Sequence, residues 1–256
     1  MKDNLVIKLL VFVTCVLMIA SNALANILPI NNITTGGVSD SYPNLFAPAG
    51  ITFSIWGLIY ILLVIYTIYQ FKKWGEKSNL FKRVGIYFSL SSVANILWIF
   101  SWHYHYIGLS VFLISFILIL LIVINDIIKK EKLSSKEKLI IKTPFSIYFG
   151  WITVAAIANI TTYLVSVNWN GFGLQNYFWM IFVLIAGLLI GSIRMLKDRD
   201  VFYGLVLVWA YVGILIKHLS TSGFNGEYLN IIFTIVACLF AFAILEIFII
   251  SKKQIS

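Results

Sequence analysis

Charge is what this 256-residue chain has least of. Asp, Glu, Lys and Arg make up 11% of it, against 61% hydrophobic residues and a mean hydropathy of +0.95, whereas a soluble domain carries roughly 25% charged residues. So few polar side chains cannot coat a water-facing surface, which excludes a soluble enzyme. Cysteine is also scarce. Cys15 and Cys238 stand alone inside apolar runs, outside any C-x-x-C spacing, and give neither a disulfide framework nor a metal site. Acidic residues are too few and too scattered for acid–base chemistry: no carboxylate pair shares an apolar run, and no phosphate-cradling glycine loop or Ser/His/Asp arrangement is present. The expectation is a protein that is not an enzyme. Of the acids only Glu246 stands out as an ionisable group in an apolar run, and Lys252 and Lys253 beside it favour a structural role.

What the chain does have is long apolar runs. A hydrocarbon core about 30 Å thick takes roughly 20 apolar residues to cross as a helix. Eight such runs are read at about 5–25, 49–70, 84–102, 107–127, 143–166, 176–194, 201–219 and 229–250. They lack the alternation of barrel strands, and in lipid a helix satisfies its own backbone hydrogen bonds. The fold class is therefore all-α, a polytopic transmembrane helical bundle. No linker, low-complexity tract or internal repeat interrupts it.

The net charge of +9 does not point to nucleic acid. Of the 19 Lys and Arg residues, 18 fall on alternate connections: Lys2 and Lys8, the 72–83 and 129–142 clusters, Arg194 to Arg199, and Lys252 with Lys253; only Lys217 lies on the other side. The positive-inside rule then predicts a cell-membrane protein with both termini and the basic loops cytoplasmic. Lys2, Lys8 and Ala23-Leu24-Ala25 also resemble a cleavable secretory signal. The run is long enough to span, and retention keeps the charge alternation intact, so a retained first helix is expected.

The longest outward connection, about 26–48, carries Pro, Asn and Gly together with Tyr42, Leu45 and Phe46. That composition suits a lid packed on the bundle, although an ordinary ordered connector is the favoured reading. Aromatics at span ends, Trp102 and Trp169 among them, fit the membrane interface. His103 and His105 flank Tyr104 in a tight turn; without a third ligand they read as a solvated turn rather than a metal site.

Polar and indole groups inside the spans are more informative. Asn95, Trp98 and Trp102 recur at i, i+3 and i+7 on span 3; Trp56 and Tyr60 are four apart on span 2; Trp151, Ala155 and Asn159 share a line on span 5. An amide in hydrocarbon requires a hydrogen-bond partner, so Asn95 and Asn159 should face the bundle interior. Either they join helices, or, since Trp56, Asn95, Trp98 and Asn159 all fall in the outer half of their spans, they line one small-molecule pocket.

These residues resemble the TspO/MBR family of tryptophan-rich sensory and translocator proteins. Pro43 and Pro48 followed by Phe53, Trp56 and Tyr60 are similar to its proline-rich loop and first aromatic helix; Asn95-Ile-Leu-Trp98 matches its Asn-x-x-Trp pattern; Pro144, Trp151 and Asn159 resemble its Pro, Trp and Asn helix. The Phe53–Trp56 spacing is one residue shorter than the family's, Pro144–Trp151 is longer, and Phe145 replaces a Tyr after Pro144. The resemblance covers roughly residues 5–167, so that 1–167 would form a five-helix membrane unit and 168–256 three additional helices of the same membrane domain. It implies a tetrapyrrole- or sterol-like ligand, with a porphyrin-like compound bound rather than a resident cofactor, and a sensory or transport role. The residues carried over as ligand-binding are Trp56, Tyr60, Asn95, Trp98, Trp151 and Asn159. Besides the lipid bilayer, the protein partners it allows are a homodimer mate or, if the chain is a permease subunit, an ATP-hydrolysing partner.

Overall fold

The structure is a computed structural model that describes residues 2–75 and 77–254. The side chains of Lys2 and Lys253, counted above among the basic clusters, lie outside the described residues. Among the described residues eight helices are long and apolar enough to cross a membrane: α1 (Lys2–Ile27), α2 (Ile55–Lys73), α3 (Ser78–His103), α4 (Ile107–Lys129), α5 (Thr143–Ser166), α6 (Asn176–Asp198), α7 (Val201–Leu219) and α8 (Leu229–Gln254). The described residues contain no strand. The expected spans are found within a few residues, except that α2 begins at Ile55 rather than near 49, after the turn Gly50–Ser54, and α3 begins at Ser78 rather than near 84, so Lys82 and Arg83 lie within its first turns.

Apolar side chains alone do not say which helix neighbours which; packing does. α3 lies between α1 and α4, α4 packs on α5, and α5 also touches α2 and α7, while α6, α7 and α8 pack on one another. α5 is the central helix. Its buried residues run almost without a break from Thr143 to Val154, whereas α1, α6 and α8 leave many large apolar side chains exposed, as lipid-facing helices must. The first helix belongs to the bundle: Val11, Cys15 and Met18 are buried in the common core.

The ends of the bundle differ in chemistry. At the basic end, ion pairs tie the connections together: Lys77 with Glu137 at 3.6 Å, Lys129 with Asp198 at 3.0 Å, and Arg194 with Asp126 at 2.7 Å and with Asp198. Asp200 is buried there. It caps α7 by accepting from the Tyr203 amide, takes a hydrogen bond of 2.6 Å from Ser146 Oγ and pairs with Lys142 at 3.1 Å. Glu246 is also buried on α8, and both cysteines are free and buried. At the other end the single basic residue Lys217 pairs with Asp40 at 3.1 Å.

That opposite end is covered by the 26–48 connection, which holds a short helix, Thr35–Asp40. Here α7 meets the entry to α2 at unusually close range. The Ala49 amide donates to Gly213 O at 3.0 Å, Trp209 Nε1 donates to Thr52 O at 3.0 Å, and a Cβ at position 213 would collide with the Thr52 side chain. Glycine is required at 213 because the two backbones touch there.

Candidate functional site

A tight turn, Gly50–Ser54, feeds directly into α2 and places Phe53 and Trp56 at the head of the bundle. Trp56 then acts as a hub. Its ring stacks on Tyr60 at 5.3 Å and meets Tyr148, Trp151 and Trp98 at 5.9, 6.2 and 6.5 Å. Trp98 stacks in turn on Trp102 at 5.9 Å, one turn along α3. Four indoles from three helices therefore form one aromatic cluster.

Beside this cluster lies a small cavity of about 40 Å³, bounded by Trp56, Trp98, Trp102, Trp151 and Asn159 and roofed by Thr35, Ser39 and Pro48 of the long connection. Its volume admits little more than a water or two. Trp98 Nε1 donates to Asn159 Oδ1 at 2.9 Å, and Asn159 Nδ2 donates to Ser110 Oγ on α4 at 2.8 Å. The Trp151 indole N–H, by contrast, is buried with no hydrogen-bond partner among the described residues, and so is the Tyr60 hydroxyl. Buried polar groups are otherwise almost always paired, so these two are the open positions of the cluster.

The six residues singled out from sequence thus divide. Trp56, Trp98, Trp151 and Asn159 bound the cavity. Tyr60 stands behind Trp56. Asn95 is fully buried, away from the cavity walls, within a different chain of hydrogen bonds: Asn22 Nδ2 donates to Asn95 Oδ1 at 2.7 Å and Asn95 Nδ2 donates to Tyr148 Oη at 3.1 Å. That chain ties α1, α3 and α5 together.

The chain matches the TSPO-like protein family over residues 8–250. It belongs to that family. The match takes in all eight helices, beyond the 5–167 stretch in which the resemblance is legible by eye. No curated protein and no solved structure matches the chain.

Several residues in and around this cluster of the TSPO-like protein escape sequence reasoning. Asn22 carries the same signal as Asn95, an amide inside an apolar run, but sits in the segment that also reads as a secretory signal. Trp102, set by its spacing on one face with Asn95 and Trp98 but read as an interfacial aromatic and not as a binding residue, is a cavity wall, and its Nε1 donates to Thr35 O at 3.0 Å. His103 is not part of a solvated turn: it is fully buried, its Nδ1 donating to Ile30 O at 3.1 Å and its Nε2 accepting from Thr35 Oγ1 at 3.1 Å. His105 Nδ1 is hydrogen-bonded to the Tyr42 hydroxyl at 2.9 Å, and His218 Nε2 donates to Leu45 O at 2.9 Å. The three histidines fasten the connection to the bundle. Histidine spacing gives no hint of this, because each partner lies more than 60 residues away in sequence.

Proposed function

We propose that this membrane-embedded TSPO-like protein binds a small apolar ring compound, tetrapyrrole- or sterol-like, in the Trp56–Trp98–Trp151–Asn159 cluster, and that it senses or carries that ligand rather than transforming it chemically. The observation that supports this best is the Trp151 N–H, a buried donor without an acceptor at the wall of an indole-lined cavity. A ligand acceptor would satisfy it, and the indole faces offer stacking worth about 0.5–1.5 kcal/mol per ring pair beyond area burial.

Small-molecule pockets typically measure roughly 300–1,000 Å³, far more than the 40 Å³ found here. Binding on this reading requires the Thr35–Pro48 roof to lift, breaking the His103, His105 and Trp102 contacts. The connection is then a lid held shut by side-chain hydrogen bonds. We also place the basic end and both termini in the cytoplasm of the cell, with the lid on the outer face.

The test is titration of the purified protein in lipid nanodiscs with protoporphyrin IX, read by tryptophan quenching. Saturable quenching that weakens in Trp56→Leu and Trp151→Phe supports the reading; wild-type binding in both variants refutes it. Flux of the same compound into proteoliposomes, with and without a co-purified ATPase, separates a carrier from a sensor. Reporter fusions after residues 105 and 198 should read outside and inside, and reversal of both would refute the orientation.

A further inference from the structure

A much larger space than the cavity beside Trp56 lies elsewhere. About 490 Å³ lies open between the ends of α5 and α6, the Pro43–Phe46 segment and the α7–α8 connection, and it shares no wall residue with the cavity beside Trp56. We propose that this is a second binding site, for an uncharged, flat aromatic or polycyclic molecule carrying one or two hydrogen-bonding groups.

Its walls are fixed one by one. Asn44 Oδ1 accepts from the Phe46 amide at 3.1 Å and from Thr161 Oγ1 on α5 at 3.3 Å, fastening the 43–46 wall to α5. His218 Nε2 holds the next carbonyl, Leu45 O. On the far side Trp179 Nε1 donates to Gly171 O at 2.8 Å; Gly171 has φ +60°, and a Cβ there would stand 2.8 Å from that same nitrogen, so only glycine lets the indole seat. The Phe224 amide donates to Lys217 O at 3.0 Å and the Gly226 amide to His218 O at 2.8 Å, which sets the last wall. Interiors pack densely, and a space bounded by mobile side chains closes up. One bounded by four separately anchored segments stays open, and its volume falls within the range of small-molecule sites.

The lining determines the ligand class. Among the described residues no Asp, Glu, Lys or Arg lines the space, so an ion entering it would lose its hydration with no counter-charge. Aromatic faces dominate: Trp169 and Trp179 meet at 4.7 Å, Phe182 packs on Trp179 at 5.8 Å, and Phe224 and Tyr228 close the other side at 5.7 Å. Such walls suit a planar ring, whereas a flexible acyl chain gains none of the ring–ring stacking they offer. The Asn176 amide and the Trp169 indole, neither hydrogen-bonded elsewhere among the described residues, supply the polar handles. Trp169, an interfacial aromatic by sequence, is on this reading a binding residue.

The probe is N-phenyl-1-naphthylamine, neutral, aromatic and fluorescent in apolar surroundings, titrated into the full-length protein in phosphatidylcholine nanodiscs with tryptophan excitation. Saturable energy transfer is expected, weakened at least about tenfold by Val183→Phe, which fills the space, and by Trp179→Leu, which removes a wall. Thermal unfolding checks each variant; should Val183→Phe fail to fold, Ile160→Phe fills the same space from α5. Phe240→Leu, at an exposed position on α8 that lines neither space, should leave this affinity unchanged. In nanodiscs of dibrominated phosphatidylcholine without the probe, quenching of tryptophan fluorescence should be the same in the wild type and in Val183→Phe, because no acyl chain occupies the space. Non-saturable partition, wild-type affinity in the filled variants, or brominated-chain quenching that Val183→Phe lowers would each overturn the proposal, the last by showing an acyl chain in the site.

Discussion

Replacing Asn95 by Leu should separate structure from binding, two roles that the sequence assigns to one set of residues. Asn95 accepts from Asn22 at 2.7 Å and donates to Tyr148 at 3.1 Å. Leu of similar size removes both bonds without opening a large void. Asn22 keeps its second acceptor, Met18 O at 2.9 Å, but the Tyr148 hydroxyl loses its donor. Side-chain hydrogen bonds within membranes contribute about 0.6 kcal/mol each on average and at most about 1.7, and a buried polar group left unpaired costs about 1–3 kcal/mol. The loss should therefore be about 1–3 kcal/mol of stability, measured by denaturant unfolding in detergent. Affinity for protoporphyrin IX should stay within about twofold, because Asn95 does not bound the cavity, whereas Trp56→Leu should lower it at least about tenfold. Comparable losses of affinity in Asn95→Leu and Trp56→Leu would refute this division of roles.

Other expectations follow from single contacts. Gln70 is fully buried on α2 with both amide atoms unpartnered among the described residues, so Gln70→Leu should raise stability by about 1 kcal/mol or more; a lower melting temperature would mean that the amide holds a water or ligand. Asp200→Asn should cost about 1–3 kcal/mol, since it weakens the α7 cap and leaves Lys142 without its partner; unchanged unfolding would show that this buried pair adds nothing. His103→Ala removes two fastenings of the long connection. It should speed maleimide labelling of a Val38→Cys probe, which is fully buried in the closed form, and equal labelling rates would show that the histidine does not hold the connection shut.

Apolar length and charge placement by themselves determine the class of this protein, the number of its spans and their approximate ends. Those are local properties: each run is read against a bilayer of fixed thickness, without reference to any other. The shared faces of Trp56 with Tyr60 and of Asn95 with Trp98 are equally local, since helical spacing alone places them. What each polar group pairs with is not local. Asn95 and Asn159 carry the same signal and similar depth, yet the first meets Asn22 and Tyr148 while the second meets Trp98 and Ser110 and bounds a cavity. Trp102 and Trp169 look like ordinary interfacial rings until the connections fold over them. Only tertiary structure decides these pairings, because they join helices whose relative rotation is set by the packing of the whole bundle. The space between α5 and α6 exists for the same reason, since it is bounded by segments more than 100 residues apart.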